Sequence, residues 1–212
     1  MARNTIRHGR AALVGLLLLA LALPLGAAGQ RVQAPEIVPR SAWGAKPPDT
    51  SLMQVHTPHE IVIHHTAELR QPRQTLAQKL QRLQRFSRAE GRVENRPKPA
   101  WGDVPYHYYI DAAGRIAEGR NIGYAGDTNT PYRTAGRIQI VLEGHFDQEE
   151  PGAAQIGSLD SLVLWLAVKY RVPAAKISGH SDHVPASACP GRNLKRYLPL
   201  LREKVAKAST AR

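Results

Sequence analysis

The sequence predicts a single α/β domain built on one central mixed β-sheet flanked by α-helices. Three observations carry that prediction. Short β-branched apolar runs alternate along the chain with long segments whose apolar residues recur at helical spacing, so strands and helices are interspersed. At 212 residues, 42% hydrophobic and 22% charged, the chain can bury one ordinary core and is not a disordered polymer. Its 17 Gly and 16 Pro fall in no repeat, and beyond residue 25 the apolar runs are too intermittent for a polytopic membrane protein.

Residues 1–29 have the three-part pattern of a secretory signal peptide. Arg3, Arg7 and Arg10 precede an apolar run of 13 residues from Ala11 to Leu23, and Pro24 leads into Gly26, Ala27, Ala28 and Gly29. The run is short for a membrane span, which wants about 20 apolar residues; an uncleaved anchor is the rival reading. No Cys follows it to carry a lipid. Cleavage near Gly29 removes three Arg and no acid from the formal net charge of +12, leaving +9.

Residues 30–39 read as an irregular arm, 40–207 as the folded domain and 208–212 as a tail. Within the domain Trp43 is expected in the core, and Trp101 either there or on the wall of a sugar-binding groove. Glu60 to His64 (EIVIH) is a buried strand. Thr75 to Glu90 places Leu76, Leu80, Leu83 and Phe86 at helical spacing with Lys79, Arg82 and Arg85 on other faces, a surface helix. Gly91 to Pro99 reads as a loop of turn formers and charge. Tyr106 to Asp111 and Arg115 to Glu118 form a hairpin, Asn121 to Gly136 a long exposed loop, and Ile138 to Leu142 another strand. Ala153 to Tyr170 is a helix stopped by Pro173, Lys176 to Ser178 a short strand, and Leu194 to Ala206 a basic terminal helix.

Nine His accompany one Cys, and two strings carry the chemistry. His64-His65-Thr66 ends the first apolar strand. Gly179 to Gly191 (GHSDHVPASACPG) joins His180 to Cys189 through a Pro-containing loop long enough to fold back on itself. In an exported protein a lone Cys is a buried inert thiol, an intermolecular linker, a nucleophile or a metal ligand. Together His64, His180 and Cys189 would supply two imidazole nitrogens and a thiolate. Three ligands leave a fourth tetrahedral position open, the pattern of a catalytic zinc site, and coordination would keep the sulfur occupied.

Taken in order, EIVIHHTA, WGDVPYHYYIDAAGRIAEGR, IQIVLEG and GHSDHVPASACPG resemble the zinc-dependent N-acetylmuramoyl-L-alanine amidases, the type that includes phage lysozyme-like amidases and the peptidoglycan recognition proteins. The match runs from about Arg40 to Leu198. The resemblance implies a hydrolase with Zn2+ in a surface groove that cuts the amide between N-acetylmuramic acid and L-alanine in peptidoglycan or muropeptides. Carried over by position, it implies zinc ligands at His64, His180 and Cys189 and a catalytic Tyr at Tyr106. Ser187 stands where related amidases often have Lys or Thr; its hydroxyl can donate to an oxyanion but brings no positive charge.

Other departures mark this chain. Eight residues rather than the family's common seven separate His180 from Cys189, which keeps His183 as a lesser ligand or substrate-binding candidate. His65 is a second substrate-binding candidate. The Gly-Ala-His that often follows the hairpin is Tyr124-Ala125-Gly126 here, and residues 91–99 form a longer stretch that alters one groove wall.

The rival function is peptidoglycan binding without catalysis. In the resembled family loss of the Cys ligand is its usual sign, and Cys189 is present. A nucleic-acid partner is not expected, because Lys and Arg are spread along the chain without aromatic clustering and an exported basic protein meets anionic envelope polymer instead. The expectation is therefore a periplasmic or secreted monomer with no stable membrane anchor after signal cleavage.

Overall fold

The run EIVIHH becomes a central strand because a chain segment apolar on both faces needs cover on both. In the computed structural model, which describes Met1 and residues 32–93 and 95–210, all of this strand beyond Glu60 is buried. Apart from Met1, the expected signal peptide lies outside the described residues, as do the last two residues of the tail. In chain order the strands are β1 (Ile37–Val38), β2 (Glu60–His65), β3 (Gly91–Val93), β4 (Arg96–Lys98), β5 (Tyr108–Ile110), β6 (Ile116–Glu118), β7 (Arg137–Leu142) and β8 (Ile177–Gly179). The helices are α1 (Leu76–Arg88), α2 (Ala153–Tyr170), α3 (Arg192–Lys195) and α4 (Leu198–Thr210).

Among the described residues six strands form one mixed sheet in the order β1-β6-β5-β7-β2-β8. The β5–β6 pair is antiparallel and the other pairings are parallel. The longest pairing is β2 with β7, registering Ile61 with Ile138, Ile63 with Ile140 and His64 with Val141. Strand alternation then divides the side chains. Ile61, Ile63, Ile138, Ile140 and Leu142 face α2 and α4 in the larger core, while Val141 and Tyr109 join Trp43, Leu76 and Leu80 of α1 on the other face. Each fully buried aliphatic side chain contributes roughly 1.5–3 kcal/mol. The single-domain α/β prediction holds, with helices on both faces. No helix among the described residues is long and apolar enough to cross a membrane.

Four local expectations are corrected. The arm contributes β1, which pairs Ile37 with Ile116. The stretch 91–99 holds a hairpin, β3 with β4, with Asn95 at φ 62° before β4. Asn tolerates that left-handed conformation, which favours a tight connection despite the charged flanks. Residues 121–136 are less exposed than expected because buried Arg120 donates to the carbonyls of Asp103, Val104 and Ala125 and pairs with Asp127, drawing the loop inward. The terminal helix is broken into α3 and α4. Pro199 lacks an N–H to bond the preceding turn and is tolerated in the first turn of a new helix.

Helix α1 is fixed at both ends. Thr75 Oγ1 accepts from the Gln78 N–H at 3.2 Å and Gln78 Oε1 accepts from the Thr75 N–H at 2.8 Å, a reciprocal cap. At the other end Lys98 Nζ donates to the carbonyls of Ser87, Ala89 and Pro99 at 3.0, 2.6 and 2.9 Å. Midway, buried Lys79 pairs with Glu143 at 2.8 Å, and the same carboxylate accepts from the N–H groups of Gln71 and Ala112. Lys79→Met should therefore destabilise the protein by about 3–5 kcal/mol in urea unfolding, since it strands a buried carboxylate. A change below about 1 kcal/mol would show that the pair contributes no net stability.

Candidate metal centre

β2 delivers adjacent imidazoles to opposite faces of the sheet. His64 faces the α1 side, where Val141 lies beside it on β7. His180 begins the turn that follows β8, the strand on the other side of β2. The loop after that turn folds back, with the Ser181 N–H donating to the Cys189 carbonyl at 2.7 Å, and so returns Cys189 to the end of β2.

The three side chains converge as expected. Their candidate ligand atoms all lie within 4.8 Å of one another, and Cys189 Sγ is 3.5 Å from His64 Nδ1. Nitrogen and sulfur donors at roughly 2.1 and 2.3 Å from one tetrahedral ion stand about 3.5 Å apart, so the spacing and the donor chemistry fit zinc. Burial, and after it the charge of neighbouring imidazoles, holds His64 down to about 3 and His180 to about 4. Both rings are therefore neutral near pH 7 and keep a lone pair for a metal. Burial pushes the Cys189 thiol up to about 12, the reverse of what a free nucleophilic cysteine needs. A cation at the sulfur would favour the thiolate.

This cluster sits in a groove of about 590 Å3 that also admits Tyr106 and Ser187. The Tyr106 ring lies 5.2 Å from that of His64, and its phenol pKa is raised by burial and then by Cys189, so it stays protonated. Ser187 Oγ accepts from the Cys189 N–H at 3.2 Å, a bond that leaves its own hydroxyl proton uncommitted. The groove is also lined by Leu83, Phe86 and Trp101, and by Lys79 and Arg82, the latter paired with Glu68. Trp43, in contrast, is buried and donates its indole N–H to the Glu118 carbonyl at 2.7 Å.

The two lesser candidates are placed differently. His65 Nδ1 accepts from the Phe146 N–H at 3.2 Å, and its ring rests against His145 and Phe146 on the side of the larger core. His183 is outside the ligand cluster and the groove lining; its Nε2 meets Ser178 Oγ at 2.8 Å and its ring stacks on Tyr132. His65 is nevertheless among the residues that line the groove, whereas His183 is not.

Sequence reasoning missed the groups that surround the ligands. His64 Nε2 is 2.5 Å from Gln139 Oε1, the same oxygen accepts from the Tyr132 hydroxyl at 3.1 Å, and Thr130 Oγ1 is 2.8 Å from His180 Nε2. Gln139 left a signal, being the polar residue inside the otherwise apolar run IQIVL. Thr130 and Tyr132 left none, because loop residues carry no periodicity.

Comparison with known proteins agrees with this geometry. Drosophila melanogaster peptidoglycan-recognition protein SD is 30% identical over 162 residues, covering 74% of this chain and 81% of that protein. The crystal structure of Drosophila PGRP-SD superposes with a TM-score of 0.64 at 26% identity, over 78% of this chain and 94% of that one. The N-acetylmuramoyl-L-alanine amidase LysC from Clostridium intestinale gives a TM-score of 0.58 at 26% identity, over 81% and 98% of the two chains. Residues 54–192, which span both metal-site strings, match the family described as N-acetylmuramoyl-L-alanine amidase, and the chain belongs to that family.

Proposed function

We propose that this protein is an exported, zinc-dependent N-acetylmuramoyl-L-alanine amidase that hydrolyses the bond between N-acetylmuramic acid and L-alanine in peptidoglycan or muropeptides. The observation that carries the reading is the convergence of His64, His180 and Cys189 on the groove. Zinc held by these three residues would supply Lewis acidity and a hydroxide available near neutral pH.

The remaining work falls to the chain. Tyr106, kept protonated by its burial, is a hydrogen-bond donor for the oxyanion that develops on the lactyl carbonyl. Ser187 offers a second, uncharged donor. His183 is engaged with Ser178, which leaves Tyr106 and solvent as sources of the proton for the leaving amine. The apolar part of the groove lining, Leu83, Phe86 and Trp101, suits the face of a sugar ring, while Lys79 and Arg82 are already paired with Glu143 and Glu68.

A second reading, recognition without hydrolysis, is favoured by similarity to a protein named for peptidoglycan recognition. The intact ligand set favours hydrolysis. Digestion of defined muropeptides followed by mass analysis should release free stem peptide, and chelator should abolish the release; binding without release would establish the second reading, and cleavage inside the peptide or glycan would overturn the assignment. Cys189→Ser is expected to lose zinc and activity together, so full zinc occupancy in that variant, read by elemental analysis, would remove Cys189 from the ligand set. Tyr106→Phe should keep zinc while turnover falls about 10²–10³-fold, and unchanged turnover would exclude the phenol from the reaction.

A further inference from the structure

We infer that Gln139, held by Tyr132, is the positioning residue that selects the His64 tautomer able to bind metal, an inference that rests on the zinc reading above. The parallel register makes the contact possible. Gln139 pairs with Val62 and Val141 with His64, so Gln139 and His64 share one face of the sheet two residues out of step. Gln139 is 1% exposed, and its side chain reaches the imidazole from beneath the groove.

The reading follows from the placement of the Gln139 amide, whose oxygen is turned toward both neighbours. Gln139 Oε1 receives both the Tyr132 hydroxyl at 3.1 Å and His64 Nε2 at 2.5 Å, and an amide oxygen can only accept. The proton of His64 is thus on Nε2. Nδ1, 3.5 Å from Cys189 Sγ, keeps its lone pair. Reversing the amide would present N–H to the imidazole, favour the proton on Nδ1, and block the nitrogen that faces the sulfur. Gln139 Nε2 is buried without a hydrogen-bond partner among the described residues, a cost accepted in keeping the oxygen on its two donors. Tyr132 holds the amide in place, its hydroxyl donating to that oxygen and its ring centroid lying 4.8 Å from that of His180 and 5.6 Å from that of His183.

Outer partners of metal-binding histidines fix ring and tautomer, and their loss typically lowers metal affinity about 10–100-fold. Zinc affinity by chelator competition, rather than activity, is the primary readout. Gln139→Leu should bind zinc about 10–100-fold more weakly than the wild type, while Gln139→Glu, which restores an acceptor, should bind at least about tenfold more tightly than Gln139→Leu. Tyr132→Phe removes one hydroxyl without opening the core and should weaken zinc by a smaller factor than Gln139→Leu, which keeps the test alive if the leucine variant does not fold.

In the metal-free protein, 15N NMR should find the His64 proton on Nε2 in the wild type and moved substantially to Nδ1 in Gln139→Leu. Zinc affinities within about twofold of wild type in both Gln139→Leu and Tyr132→Phe, with an unchanged tautomer, would overturn the role of Gln139 and leave the zinc reading standing. A wild-type protein that holds no zinc would overturn both, even with the tautomer as expected.

Discussion

The parallel pairing of β2 with β7 is the constraint on which the rest depends. Its register sets Ile61 and Ile63 beside Ile138 and Ile140 and thereby fixes which way the sheet turns its side chains. One residue of slip would send His64 into the larger core and His65 to the groove. The same register puts Gln139 on the face of His64, and β8 on the other edge of β2 carries the chain to His180. The ligand cluster is thus assembled by backbone pairing, and the loop to Cys189 closes it.

The two faces of the sheet divide the labour. Toward α2 and α4 lies a dry aliphatic layer that supplies most of the burial. Toward α1 the layer is smaller, and polar groups enter it in pairs or networks: Lys79 with Glu143, Arg120 with Asp127 and three carbonyls, His64 with Gln139. Buried polar groups persist where each meets a partner. Three buried cations, Lys79, Lys98 and Arg120, are matched by three buried acids, Asp103, Asp111 and Glu143, so among the described residues burial leaves the net charge at the surface unchanged.

Much of this was legible in the residues. The runs EIVIH and IQIVL declared strands through β-branched composition, each one residue shorter than observed, and the 153–170 helix through its period and Pro173, because burial itself writes those patterns. The ligand set was legible through residue type and loop length, and with the family resemblance it named three side chains that do converge. What escaped was set by tertiary context. The β3–β4 hairpin is too short and charged to show alternation, and the order in residues 121–136 comes from Arg120, whose partners cannot be read from its neighbours in sequence. Of the doublet His64-His65, strand register turns His64 to the cluster, as expected, and rests the His65 ring against His145 and Phe146.

Lys98 closes the end of α1 from the hairpin that follows the helix. Its ammonium occupies two of the carbonyls at the helix end, and its charge rests over the rings of Phe86 and Trp101, so the helix terminus is finished by the last residue of the hairpin. The hairpin that carries this lysine also contributes Val93 and Arg96 to the groove lining, so one short element both caps α1 and shapes a rim of the groove.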